Sequence, residues 1–314
     1  MEQVEQGAVV ERSRLRRIVD FPLVTLLFAV AIYILAMALS LIVAQKVLPP
    51  IPTFTQGMMA EVVALPVLIL VYKLVISRLG EYKRDDLRSS GSARLVSLGL
   101  GLGVLIFVIS VAIAAVIGIY RIVGEGDTSG LLPALLSAAL FPAFNEEILF
   151  RGILFRWIEE FGGSWAALLL TSVFFGAAHL FNPNASPIAA FGIALEAGLL
   201  LGAAYMLTRS LWLPIGIHAA WNFTQGEVFD IPVSGTSVHG LVDAQLVGPP
   251  LLTGNGFGLE ASVITIVVAT LAGLWILMRA IRAGEVMQPW WVRRRISREQ
   301  VLTEGAAEAA GAAS

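Results

Sequence analysis

The chain has 314 residues and a formal net charge of -2, with 57% hydrophobic and only 14% charged residues; its mean hydropathy is +0.81. A soluble domain carries about a quarter charged residues, so this balance excludes an ordinary soluble enzyme, and the small net charge gives no footing for nucleic acid. Cysteine is absent, which removes disulfides, thiolate nucleophiles and thiolate metal sites.

Residues 1–20 are polar and end in a basic cluster, Arg12, Arg14, Arg16 and Arg17. The apolar run that follows is too long for the core of a signal peptide and reads as a first membrane span, Phe21 to Ala44. Runs of about 20 apolar residues reach across a hydrocarbon core of about 30 Å. On that basis the spacing predicts seven more spans: Met58 to Ile76, Leu95 to Tyr120, Leu131 to Trp157, Trp165 to His179, Ile188 to Leu207, a short one at Leu211 to Phe223, and Ala261 to Met278. The short seventh is expected to be tilted, re-entrant or shielded by its neighbours.

Charge supports eight spans with both termini cytoplasmic. Lys83, Arg84, Arg88, Arg94, Arg209 and the tail bases Arg293, Arg294, Arg295 and Arg298 then lie on one side. The longest opposite loop, 224–260, holds Glu227, Asp230, Asp243 and Glu260 and no Lys or Arg, the asymmetry of the positive-inside rule. The expected class is all-α: a polytopic transmembrane bundle over 21–282 in the cell membrane. Residues 283–314 are expected to form a cytoplasmic tail, whose alanine-rich part after Arg298 reads as a frayed helix or disordered. Gly99, Gly101 and Gly103 in the third span, and Gly198, Gly202 and Ala204 in the sixth, read as ordinary close packing of helices in lipid.

Three places put polar groups inside apolar spans, where they are costly and face a bundle interior or a cavity. The first is Asn145-Glu146-Glu147-Ile148-Leu149-Phe150-Arg151. Glu147 and Arg151 are four apart and share a helix face; Glu146 points about 100° away. Two adjacent carboxylates in a poorly solvated site resist ionising together, which suits proton transfer. The plain alternative is a structural ion pair with Glu146 a passenger, but such a pair needs no second acid. The second place ends in His179, after Phe175-Gly176-Ala177-Ala178. The third is His218-Ala219-Ala220-Trp221-Asn222, whose polar ends share a face. For both, helix–helix hydrogen bonding is the plain alternative.

At 1.5 Å per residue, Glu146 lies about 16 Å from the cytoplasmic end of its span, His218 about 10 Å, Asn222 about 16 Å and His179 about 20 Å. These depths overlap in the middle or cytoplasmic half of the membrane. Glu146 with His179 can hold and deprotonate a water, and His218 with Asn222 can stabilise an oxyanion, which are the parts for amide hydrolysis. The same carboxylates and imidazoles are ligands that zinc accepts. HExxH is absent, and the residues leave zinc open.

Taken in order, EExxxR (Glu146, Glu147, Arg151), FxxxH (Phe175, His179) and HxxxN (His218, Asn222) resemble the CAAX prenyl protease type II and bacteriocin-processing family, the CPBP or Abi proteases. The neighbouring text is similar too: Arg151-Gly152, His179-Leu180-Phe181-Asn182-Pro183, and Ser210-Leu211-Trp212-Leu213-Pro214-Ile215. The resemblance covers 131–223. It implies an Rce1-like intramembrane endopeptidase core, commonly of eight spans, acting without a bound cofactor on a membrane-associated protein or peptide. Glu146 would then activate water, helped by His179, while His218 and Asn222 form the oxyanion site. Glu147 and Arg151 would organise the site and orient His218, and Phe175 would pack. Glu196 and Glu61 stand apart from this set: each either lines a cavity or marks a membrane–water boundary. Two other functions fit the same residues. A transporter or proton-coupled channel uses intramembrane acids and histidines as relays, although no inverted repeat is visible. A non-catalytic immunity or scaffold protein would keep the fold alone.

Overall fold

The computed structural model describes residues 13–47, 55–127 and 129–312; Arg12 of the basic cluster lies outside them. Helix α1, Pro22–Lys46, begins with proline in its first turn, where the missing N–H leaves no bond unmade. It packs on α2, Gln56–Leu74. Helix α3 is Ser92–Val116. It stops short of the expected limit at Tyr120 because Gly118 takes a positive φ of 81°, and the chain leaves as strand β1, Tyr120–Glu125. Its partner β2, Val242–Leu246, lies far along the chain. The two run antiparallel, Tyr120 opposite Leu246 and Glu125 opposite Val242, with an irregularity between Ile122 and Gly124.

Helix α4, Leu131–Phe181, is 51 residues long, far more than one crossing needs. It breaks at Gly163, φ 82°, ψ 171°. A side chain there would be strained, and its Cβ would sit 2.8 Å from the Met287 carbonyl oxygen. Phe150 and Phe175, about equally far from Gly163 on either side, meet edge to face with centroids 4.9 Å apart. The two arms of α4 therefore fold back on each other, and they correspond to the fourth and fifth expected spans. Helix α5, Pro187–Thr208, follows, then the short α6, Trp212–Phe223. Helix α7 is Val263–Arg282. The tail is a helix, α8, Trp290–Ala312. Among the described residues, six helices (α1 to α5 and α7) are long and apolar enough to cross a membrane. Helix α6 is too short for that count, yet ten of its residues are buried.

Two features place α6. Gly99 and Gly103 of α3 let the backbones touch: a Cβ on Gly99 would lie 2.5 Å from Leu213 O, and one on Gly103 2.4 Å from Ile217 O. Below, at the arginine-bearing end, Tyr72 and Tyr205 both donate to Asp86 Oδ2 at 3.0 and 2.8 Å, and Leu211 N donates to Asp86 O at 2.9 Å. Arg209 closes the same end onto Glu159 (2.5 Å) and Glu285 (3.0 Å). Helix α6 thus starts at a pinned polar layer and rises through the core beside α3.

Candidate active site

Among the described residues, four stretches widen into π-helical turns: Leu135–Leu140 and Ile148–Phe155 in α4, Ala194–Gly198 in α5, and Thr224–Val228 directly after α6. Such turns detach carbonyls from the regular ladder and gather at functional sites. Here polar side chains use carbonyls from two of them. Asn222 Nδ2 donates to Ala138 O at 2.9 Å, and Arg151 Nη2 reaches Ala197 O at 3.3 Å and Gly198 O at 3.4 Å.

Arg151 and Glu147 are both fully buried and paired, Nη1 to Oε1 at 2.8 Å. The same Glu147 oxygen accepts from His218 Nδ1 at 3.1 Å. Isolated buried charges are prohibitive, and this three-member chain from two helices gives each a partner. Phe175 lies under the guanidinium, 4.7 Å from Cζ to the ring centroid, and edge-on to the His218 ring at 6.3 Å. It is itself buried. Because Glu147 accepts at Nδ1, the other nitrogen of His218, Nε2, is turned toward Glu146, 3.9 Å from Oε2. Glu146 is the more open of the pair, its side chain 27% exposed, yet its Oε2 is enclosed without a hydrogen-bond partner. Asn145, beside it, accepts from Tyr33 OH of α1 at 2.7 Å.

His179 stands at the end of the second arm of α4. Its Nδ1 is 2.7 Å from Phe175 O. A carbonyl only accepts, so Nδ1 carries the proton and Nε2 of the neutral ring is left with a lone pair.

Glu146, His179, His218 and Asn222 line one cavity of about 370 Å³, with Glu61, Ser137 and the 233–238 stretch completing the wall. The structure thus brings all four together, with Glu147 and Arg151 directly behind. It also moves the site relative to the depth reckoned along each span. The wall includes Asn182, Val233, Ser234 and Thr236, so the cavity lies toward the strand-bearing end of the bundle, away from the arginine-bearing end. Glu61 lines this cavity, which answers one of its two readings.

A second, smaller cavity of about 30 Å³ adjoins the first. His179, His218, Asn222 and Ser234 line both, and the smaller one adds Glu196 and Glu260. Glu196 is fully buried and neither carboxyl oxygen has a partner, so of its two readings it takes the cavity, not a membrane boundary. Glu260 sits in the turn before α7 and accepts from Ser234 N at 2.5 Å. Burial pushes its carboxyl up to about 7, against the lowering effects of Ser234, Gln225 and His218. Sequence reasoning missed Glu260 and Tyr33. Glu260 sits in an acidic loop and Tyr33 in a uniformly apolar run, and nothing local distinguishes either.

Among the described residues, no group of three or more His, Asp or Glu is arranged to hold a metal ion; Glu147 and the Nδ1 of His218 are spent on each other and on Arg151. The family described as Type II CAAX prenyl endopeptidase Rce1-like matches residues 128–224. That stretch contains all seven of the motif residues and both arms of α4. A search among curated proteins finds no match. The fold is that of a multi-pass, helical membrane protein, and its residues 128–224 are similar to Rce1-like endopeptidases.

Proposed function

We propose that the protein is an intramembrane endopeptidase of the cell membrane that hydrolyses a peptide bond in a membrane-associated protein or peptide. The observation that carries this reading is the convergence of Glu146, His179, His218 and Asn222 on one cavity within an apolar bundle, inside the segment similar to Rce1-like endopeptidases.

In this reading Glu146 takes the proton of a water held between its carboxylate and the free Nε2 of His179. The hydroxide adds to the peptide carbonyl. Asn222 spends one amide hydrogen on Ala138 O and has a second for the developing oxyanion. His218 donates from Nε2 when its ring carries both protons, a state for which Glu147 on Nδ1 and Glu146 near Nε2 supply compensating charge. Collapse of the tetrahedral intermediate breaks the C–N bond, and Glu146 returns its proton to the leaving amine. Glu147 and Arg151 hold His218 in register. No step requires a bound metal.

The test compares membranes containing the wild-type protein with membranes containing Glu146→Gln at equal abundance, by sequencing new peptide termini. Termini that depend on Glu146 identify a peptidase and name its substrates. Identical sets of termini, together with solute uptake into proteoliposomes that requires Glu146, would move the assignment to a transporter.

A further inference from the structure

The reaction scheme leaves unused the two buried acids that line the smaller cavity, Glu196 and Glu260. Glu196 is the more extreme: it is fully buried, both oxygens lack a partner, and it faces a cavity rather than packed side chains. A buried polar group without a hydrogen bond costs several kcal/mol, so the site demands a ligand small enough for about 30 Å³. Roughly 10–15 Å³ suffices for one water, provided it finds two to four polar partners. The cavity offers two in the carboxyls of Glu196 and Glu260.

We propose that Glu196 and Glu260 hold an ordered water behind His218, share one proton through it, and act as positioning residues for that ring. The groups around Glu196 fit this role. Glu260 comes from the turn before α7, His218 from α6 and His179 from the second arm of α4. Arg151, from the first arm, is tied to Glu147 and to the carbonyls of Ala197 and Gly198. No Lys or Arg lines the cavity. Two carboxyls confined together do not both ionise, so the pair presents one negative charge in the cavity that His218 also lines. That charge favours the doubly protonated ring on which oxyanion binding depends. Ser234 links the cavities mechanically: its N–H is spent on Glu260 and its C=O accepts from Asn182 at 3.1 Å, beside the larger cavity.

This role rests on the peptidase reading, but its first test does not. Infrared difference spectra of the purified full-length protein in lipid nanodiscs should show a protonated-carboxyl band that titrates near neutral pH, together with a band from a strongly hydrogen-bonded water that shifts in H2-18O. Glu260→Gln should abolish the titrating band. Glu196→Gln should move its midpoint up, the single charge having lost the carboxyl that shares its proton, and Glu196→Leu should remove the water band. A midpoint unmoved by Glu196→Gln, or one that follows sodium concentration instead of pH, overturns the proposal. Where cleavage is measured, Glu196→Gln should shift the pH profile of kcat in the same direction and leave KM unchanged. A shifted band without any cleavage would keep the water site and reject the peptidase reading.

Discussion

At the scale of single residues, the Glu147–Arg151–His218 chain divides the labour of the adjacent acids. Both Glu147 and Arg151 have no exposed side-chain surface, so removing one partner strands a charge, which costs about 3–5 kcal/mol. Arg151→Met should therefore lower the melting temperature of the detergent-purified protein sharply. The double variant Glu147→Gln/Arg151→Met should regain part of that loss, whereas a double variant less stable than either single one would show that the pair is not coupled. Glu146 has no such structural duty, so Glu146→Gln should retain wild-type melting while cleavage falls by about 10²–10⁴-fold. Glu260 makes a separate prediction about pH. In the unfolded chain its carboxyl loses its proton at the ordinary value of 4.5, but in the folded protein only at about 7. The folded state thus binds the extra proton between those values, and its stability falls as pH rises through them. Melting temperatures measured from pH 5 to pH 7.5 should decline more steeply for wild type than for Glu260→Gln; parallel curves would contradict the buried assignment. The i,i+4 spacing made the Glu147–Arg151 pair readable in the sequence. The partnership of Glu260 with Ser234, 26 residues away, and the meeting of Tyr33 with Asn145 across 112 residues, depend on the fold and leave no local trace.

Between elements, close approach of α3 and α6 sets where His218 and Asn222 point. A methyl on Gly103 would strike the backbone at Ile217 O and the Ala220 side chain, whereas one on Gly101 meets nothing within 4 Å. Overpacking of this kind costs about 1–3 kcal/mol. Gly103→Ala should lower the melting temperature and reduce cleavage, while Gly101→Ala, on the same helix, should leave both unchanged. Equal effects from the two would remove the argument that this contact positions α6. Apolar run length was enough to find α1 to α5 and α7, because burying or lipid-facing 20 residues leaves a long, uniform signature. The π-helical turns of α4 and α5 were not legible: Asn222 and Arg151 use carbonyls of Leu135–Leu140 and Ala194–Gly198 from other helices, and Leu135–Leu140 carries no residue that announces one. The strands were hidden for a different reason. β1 follows α3 so closely that Tyr120 reads as its last apolar residue, and pairing with β2 joins segments more than a hundred residues apart.

For the whole molecule, the polar layers separate. Arg84, Asp86, Glu159, Arg209 and Glu285 close one end, and the cavity with residues 233–238 lies toward the other. The distribution of arginines predicts cytoplasmic termini, an orientation that would turn the cavity to the opposite side of the membrane. The absence of native cysteine makes this directly measurable: a single cysteine at Thr236 should react with a membrane-impermeant maleimide in intact cells, and one at Ser297 only after the membrane is opened. The reverse pattern would invert the molecule and place the site on the cytoplasmic side. The motif residues that meet at the cavity were legible as an ordered set, whereas its position along the bundle was not, since counting along each span ignores how far the loops fold back over the helix ends. The central claim, that Glu146 activates water for peptide hydrolysis, is tested most directly by incubating purified wild-type and Glu146→Gln protein with a membrane protein fraction in H2-18O. The account predicts new carboxyl termini carrying one 18O atom with the wild type and none with Glu146→Gln. New termini appearing at the same rate with Glu146→Gln would contradict it.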